Sequence, residues 1–249
     1  VRKNLSRAIV DYQANLQHLF DFSLIYFAGD DLEAAEKAKE VLVMFIQATP
    51  AQFLPRFREA SMTYKASPSS SNYTILLRYY SLVADVSRDN EALCVAAHAA
   101  GLLEDLVSLL RCKDLLVLIN VLDLLVPIAS SNAGLEALSG LQVIKWLVDS
   151  LREETDAFGG ALRDEALRAL SALFSRAAKH SMLFIERQHP STVELFLRTV
   201  GDYIEGGVDE NTRIAGLAAL ADFASISVHS LELALTFQNR RLVQEQGVR

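Results

Sequence analysis

The sequence predicts an all-α protein whose helices stack into a right-handed α-solenoid. Three observations support this fold class. Leu and Ala dominate a chain that is 51% hydrophobic and only 8% aromatic, a composition that favours helix over sheet. Eleven Gly and five Pro are too few to supply the turns of an all-β sandwich or barrel of 249 residues. Short apolar segments also recur along the chain at a nearly regular spacing.

The recurring segment is a five-residue apolar core, and "LVPIA" at 125–129 is its clearest copy. Similar cores occupy 170–174 and 220–224, a poorer copy occupies 83–87, and a degenerate one begins at Leu42. The first residues of these cores are 41, 42, 45 and 50 positions apart. Repeats of roughly 40–47 residues are typical of armadillo and HEAT units, which bury their apolar faces against their neighbours.

This spacing predicts one solenoid domain over 1–249, with an N-terminal helix or cap at 1–29. The approximate units are 30–66, 72–112, 113–155, 160–205 and 208–249. Glycine-containing segments at 157–160 and 206–209 are predicted to be loops inserted between units, where extra residues cost little. The serine-rich segment "SPSSSN" at 67–72 has the composition of a flexible loop and is an unspecific candidate for phosphorylation.

Two units share an internal order. In both 97–110 and 139–151, a Gly precedes a helix whose apolar residues fall at helical spacing. Pro127 interrupts the apolar segment 115–129, and we expect it to bend its helix because proline lacks an amide hydrogen.

Bulk charge and hydropathy argue against two kinds of main partner. The net charge of −7 argues against nucleic acid, because neutralising phosphates requires a basic surface. The sequence contains no run of about 18 uncharged apolar residues, which is the length that would predict a membrane span. The longest candidate, 115–129, is interrupted by Asn120, Asp123 and Pro127. We therefore expect neither a nucleic-acid partner nor a membrane partner.

The two cysteines, Cys94 and Cys112, lie in Leu- and Ala-rich helical segments, and we expect buried free thiols. So few cysteines, with no secretory signal at the start of the chain, predict a reducing compartment. We expect a cytoplasmic protein, with the nucleus as a further location.

No residue pattern predicts catalysis, a cofactor or a small-molecule substrate. The five histidines (18, 98, 180, 189 and 229) are scattered, and only Cys94 and His98 share one helix face, which is too few ligands for a closed zinc site. Phosphate loops, dinucleotide fingerprints and nucleophile elbows are missing from the sequence. The acidic segments at 27–31 and 204–211 are predicted to cap helices rather than to bind calcium.

The segment 121–151 resembles an armadillo repeat, and this resemblance implies a binding groove along the third helix of each unit. In nuclear-import receptors of this fold, that helix carries a Trp-x-x-x-Asn ladder for extended basic peptides. Here the Trp places hold Ser81, Asp123, Arg168 and Ala218, and the Asn places hold Asp85, Pro127, Ala172 and Asp222. Both ladders are lost, which argues against import-receptor function.

The same face offers five charged residues as candidate partner-binding residues: Arg78, Asp85, Asp123, Arg168 and Asp222. A solvated groove and a partner-binding strip both remain open for this set. We hypothesise that the small side chains of Ala172 and Ala218 admit a folded partner rather than a stretched peptide.

The segments "AGLEAL" at 133–138 and "VIKWLVDSL" at 143–151 resemble the proteasome non-ATPase regulatory subunit 5 family, and 214–235 has a similar cadence to its later units. The resemblance implies an assembly chaperone that binds the C-terminal small domain of a proteasomal ATPase subunit. Two alternatives remain: a generic armadillo scaffold in signalling or trafficking, and a cochaperone that clasps the ATPase domain of a heat-shock protein.

Overall fold

The computed structural model describes residues 2–67, 69–88, 90–152, 156–179, 190–206 and 208–247. Over these ranges the chain forms thirteen α-helices, one 3-10 turn at Leu109–Arg111 and no strand. The helices are α1 (Arg2–Phe27), α2 (Leu32–Ala48), α3 (Pro50–Lys65), α4 (Ser70–Ser87), α5 (Glu91–Ala99), α6 (Leu102–Ser108), α7 (Leu115–Ile128), α8 (Asn132–Gly140), α9 (Val143–Ser150), α10 (Asp156–Lys179), α11 (Pro190–Glu205), α12 (Glu210–Ala224) and α13 (Val228–Gly247).

Five helices form a continuous row, in which α2 packs against α4, α4 against α7, α7 against α10 and α10 against α12. Each of the five apolar cores found in the sequence lies on one of these row helices. Leu42, Val83, Leu125 and Leu170 are completely buried, whereas Leu220 on the last row helix is half-buried. In the first four row helices, the repeated core therefore lies in the buried stripe of the row.

A second layer runs beside the row, where α3 packs against α5, α5 against α8, α9 against α11 and α11 against α13. One continuous apolar cluster lies between the two layers. This arrangement confirms the predicted all-α solenoid. The division into five units with the stated limits stays a prediction.

Aromatic rings fill both ends of the cluster. Near the start of the chain, the centroid of the Phe20 ring lies 4.6 Å from that of Phe53. Near the other end, the rings of Phe174, Phe196 and Phe223 lie 5.3 to 5.5 Å apart and join α10, α11 and α12. Such contacts add to the free energy gained by burial alone.

Several helices begin with a polar side chain that accepts hydrogen bonds from the first free backbone amides. These capping residues are Asp31, Ser69, Asn90, Asp114, Ser131 and Asp209. Asp31 and Asp209 come from the two acidic segments, so their predicted role in helix capping is confirmed.

Two predicted loops are wrong. The segment 157–160 lies inside α10, because a long helix that packs on α7, α9 and α12 overrides the low helix propensity of its glycines. The serine-rich segment 67–72 is helical from Ser70 onward, because the Ser69 hydroxyl accepts the amide of Asn72 at 3.2 Å and starts α4 there. Residue 68 lies outside the described residues.

A glycine directly precedes the helix in only one of the two units that were expected to share this order. Gly101 precedes α6 with φ +81°, a left-handed conformation that suits glycine. In the other unit Gly140 ends α8, and the left-handed residue before α9 is Gln142, with φ +58°. The backbone requires this conformation at the same place in both units, but the sequence marks it with glycine only once.

Pro127 lies in the last turn of α7, one residue before its end. At this position the missing amide removes only the helical hydrogen bond to the carbonyl of Asp123, and Ala129 still donates to the carbonyl of Leu125 at 2.9 Å. The bend expected at Pro127 stays a prediction.

No single helix in the described ranges is long and apolar enough to cross a membrane. The pair Glu91–Ala99 and Leu102–Arg111 meets the length and hydropathy criteria only when joined across a bend of 72°. Leu103 and Leu106 of this pair are completely buried in the core between the layers.

A buried carboxylate connects α6 to α3. Oδ2 of Asp105 lies 2.5 Å from Nε of Arg58, and its Oδ1 lies 2.9 Å from Nζ of Lys65. Burial alone would raise the pKa of Asp105, but the hydrogen bonds from Arg58 and Lys65 outweigh burial and hold this pKa below its ordinary value. The folded state therefore favours the ionised carboxylate.

We expect Asp105→Asn to lower the free energy of unfolding at neutral pH, because it removes the negative charge that pairs with Arg58 and Lys65. The loss should be only about 1–2 kcal/mol, since Arg58 is partly exposed and can be rehydrated. Since the folded pKa lies below the unfolded value of about 3.9, this stabilisation is present above that value and is lost as the pH falls through the folded pKa. Urea titrations at neutral and acidic pH measure both effects. Asp149→Asn, in an exposed pair with Lys145, is the control and should change stability little. Equal losses in the two variants would contradict the assignment.

Candidate partner-binding face

The exposed side of the row helices α2, α4, α7, α10 and α12, here called the row face, carries all five residues predicted to bind a partner. Arg78 and Asp85 lie on α4, Asp123 on α7, Arg168 on α10 and Asp222 on α12. Asp85, Asp123 and Arg168 are exposed, and Arg78 and Asp222 are half-buried. The structure thus distributes the set over four neighbouring helices. Their role in binding stays a prediction.

Arg78 is held by the end of α1. Its Nη1 donates to the carbonyl oxygens of Phe27 at 2.8 Å and of Gly29 at 2.9 Å. The last carbonyls of a helix have no partner within the helix and carry partial negative charge, so a guanidinium placed there is stabilising. Arg78 therefore ties α1 to the row, and part of its hydrogen-bonding capacity is already used.

Two of the predicted aspartates connect neighbouring row helices. Nζ of Lys39 on α2 lies 3.0 Å from Oδ2 of Asp85, and Nη2 of Arg88 lies 3.5 Å from the other oxygen of Asp85. Further along the row, the Ser171 hydroxyl of α10 donates a hydrogen bond to Oδ2 of Asp222 on α12. Both aspartates hold adjacent helices together across the row face.

Arg168 and Asp123 differ in how they are engaged. Arg168 forms an ion pair with Glu165, one turn earlier on the same helix. Asp123 has no hydrogen-bond or ion-pair partner among the described residues, although it is exposed. Of the five predicted residues, Asp123 is therefore the one whose charge is unmatched within the described part of the chain.

Asp123 lines a groove of about 660 Å³ that crosses α2, α4 and α7. The groove is lined by Phe27, Leu32, Ala35, Glu36, Lys39, Thr74, Leu77, Arg78, Ser81, Asn120, Asp123 and Leu124. The sequence analysis missed Glu36 and Lys39, because it followed the face only from the better-formed cores onward. Counting back one and two turns from the degenerate core at Leu42 would have reached both residues.

The row face carries no aromatic ladder at the described positions that correspond to the Trp and Asn ladders of import receptors. These positions hold Ser, Asp, Arg, Ala and Pro. The single Trp of the chain, Trp146, lies on α9 in the second layer. It lines a separate groove of about 440 Å³, together with Arg111 and Lys145. An extended peptide therefore has no row of indole rings to stack on along the row face.

Metal ligands do not converge within the described ranges, where no group of three His, Cys, Asp or Glu residues could hold an ion. Burial raises the pKa of the Cys94 thiol, which disfavours the thiolate that a metal requires. His98 instead lies 2.8 Å from Glu104. His180 and His189 lie outside the described residues.

Solved structures similar to this chain include designed armadillo repeat proteins. A designed armadillo repeat protein matches with a TM-score of 0.51 at 16% identity, covering 86% of each chain. A second one, solved in complex with the peptide (KR)4, has a TM-score of 0.53 at 15% identity and covers 90% of this chain and 89% of its own. An engineered protein matches with a TM-score of 0.53 at 20% identity, covering 91% and 87%. At such identities the likeness concerns the fold alone, and it agrees with the predicted armadillo-like repeats.

Among protein families, the model described as the proteasome non-ATPase 26S subunit matches residues 10–221. This range includes the whole row of helices up to Ala221 of α12 and all of the predicted partner-binding residues except Asp222. No curated protein shows significant sequence similarity to the chain.

Proposed function

The chain belongs to the proteasome non-ATPase 26S subunit family, and from this premise we propose that its protein-binding solenoid is an assembly chaperone or scaffold. The proposed partner is a folded domain of a proteasomal ATPase subunit. The proposed binding surface is the row face, with Arg78, Asp85, Asp123, Arg168 and Asp222 as its predicted residues. No catalytic step, cofactor or small-molecule substrate forms part of this proposal.

One observation carries the choice of surface: the five row helices pack side by side, so their exposed sides form one surface of repeated helices. On this surface, small side chains at Ala172 and Ala218 stand where peptide-binding relatives place ladder residues. A folded domain can follow such a surface over several helices at once. The five predicted units and a cytoplasmic location, with the nucleus as a second one, belong to the same proposal.

We expect the double charge reversal Asp123→Lys with Arg168→Glu to abolish capture of the partner, because both side chains are exposed on adjacent row helices. The measurement is affinity capture from cell extract followed by mass spectrometry. Recovery of proteasomal ATPase subunits by the unaltered chain, without the proteolytic core particle, supports the proposal.

The matched control reverses the exposed pair Lys145 and Asp149 on α9, in the second layer, and should leave capture unchanged. Equal capture by the row-face variant and the unaltered chain would remove this face from the proposal. Recovery of a heat-shock protein whose nucleotide release is accelerated would instead support the cochaperone alternative. Recovery of neither class would favour a generic scaffold.

A further inference from the structure

The groove between α2, α4 and α7 combines an apolar lining with charged rims. Ala35, Leu77 and Leu124 contribute buried or half-buried apolar side chains to its lining. Leu32, at the start of α2, also lines the groove and is 71% exposed. An apolar side chain of a partner that covered Leu32 would remove this surface from water, which is favourable.

Both cations that line the groove are already engaged within the chain. Lys39 forms its ion pair with Asp85 at 3.0 Å, which neutralises its charge locally. Arg78 donates to the two carbonyl oxygens at the end of α1, where the partial negative charge of the helix terminus opposes its own. Neither cation is left unopposed to attract an anionic ligand.

The two carboxylates that line the groove, unlike its cations, have no partner within the described part of the chain. Glu36 on α2 and Asp123 on α7 are exposed, lie on helices that flank α4, and have no ion-pair or hydrogen-bond partner among the described residues. The chain as a whole carries a net charge of −7, so its general field adds to theirs. The groove therefore offers two unmatched negative charges beside an apolar lining.

We infer that this groove binds a partner segment in which Lys or Arg side chains flank an apolar residue, with Glu36 and Asp123 receiving the cations and Leu32, Leu77 and Leu124 the apolar side chain. The inference rests on the proposed function and specifies the chemistry of the partner at one end of the row face. Recognition here uses carboxylates rather than the aromatic and amide ladders that the row face lacks. Charged rims of this kind contribute more to the choice of partner and to the association rate than to raw affinity.

The probe for this inference is a fluorescein-labelled peptide of Lys, Leu and Ser, compared with a peptide in which every Lys is replaced by Glu. Binding to the full chain is measured by fluorescence anisotropy at about 0.1 M salt. We expect the Lys peptide to bind about tenfold more tightly than the Glu peptide, because the latter meets like charges at both rims. Raising the salt concentration should reduce this difference.

The variant Glu36→Gln with Asp123→Asn removes both charges and nearly preserves side-chain shape. We expect it to weaken binding of the Lys peptide about fivefold, since exposed ion pairs contribute modestly. Glu40→Gln is the matched control, because Glu40 is exposed on the same helix as Glu36 but does not line the groove. It should bind as the unaltered chain does, and thermal unfolding of all variants should coincide because all three side chains are exposed.

Three results would overturn the inference: no binding of the Lys peptide, equal binding of the two peptides, or an equal loss with Glu40→Gln. Capture of proteasomal ATPase subunits separates this inference from the proposed function. If the Lys peptide binds through the groove but no ATPase subunit is captured, the proposed function alone fails. If the ATPase subunit is captured equally by the double variant and the peptides are not distinguished, the groove inference alone fails.

Discussion

Leu125→Asp is expected to lower the free energy of unfolding by about 3–5 kcal/mol, because it replaces a packed leucine with an unpaired buried charge and leaves a void. Leu125 is completely buried on α7, the middle helix of the row, which packs against α4 on one side and α10 on the other. The damage should therefore reach both halves of the solenoid. Urea unfolding followed by circular dichroism measures the loss.

The same helix supplies the control. Leu116 lies about two and a half turns before Leu125 on α7 and is 72% exposed, so Leu116→Asp should change stability by no more than about 0.5 kcal/mol. If Leu125→Asp unfolds at the same urea concentration as the unaltered chain, the helical register assigned to α7 is incorrect. If both variants lose the same stability, burial is not the cause.

Gly134→Ala is expected to lower the free energy of unfolding by about 3 kcal/mol, which is large for the addition of one methyl group. A Cβ atom at Gly134 would lie 1.8 Å from the carbonyl oxygen of Ile128 and 2.7 Å from its carbonyl carbon. Both atoms belong to the backbone at the end of α7, so no side-chain rotation relieves the contact. The first turn of α8 would have to move away from α7, which thermal or urea unfolding would detect.

Gly140→Ala is the matched control at the other end of α8. A Cβ atom there would meet nothing within 4 Å, and we expect a change within about 0.5 kcal/mol. A Gly134→Ala variant as stable as Gly140→Ala would show that α8 does not pack as closely on the end of α7 as described. A crystal structure of the variant with α8 unmoved would contradict the prediction equally.

Gly134 also illustrates a limit of sequence reasoning. It lies within the segment 121–151 that resembles an armadillo repeat, yet nothing in the local pattern marks it as essential. Its backbone needs no left-handed conformation, so the usual reason for glycine does not apply. The requirement comes from the close approach of α7 to α8, which only the packed structure shows. Gln142 presents the converse case, because it holds a left-handed conformation that glycine adopts more readily.

The sequence by itself determined the fold class and the row of helices. Apolar periodicity is a local property of the chain, and the cores beginning at 42, 83, 125 and 170 each lie in the buried stripe of one row helix, whereas the core beginning at 220 is only partly buried. Capping residues such as Asp31 and Asp209 could also be predicted from the sequence, because capping is local: the side chain accepts hydrogen bonds from amides two or three residues away.

Only the tertiary structure decided which charges on the row face are engaged. Lys39 and Asp85 are 46 residues apart in the chain, and Arg78 is 51 residues from the carbonyl of Phe27 that it caps. No local pattern reports such pairings, because they arise from the stacking of one helix on the next. The set predicted from the sequence combines Asp123 with four residues that form hydrogen bonds or ion pairs in the structure, and it does not include Glu36. Unmatched charge is a property of the assembled surface, and that surface exists only after the helices have packed.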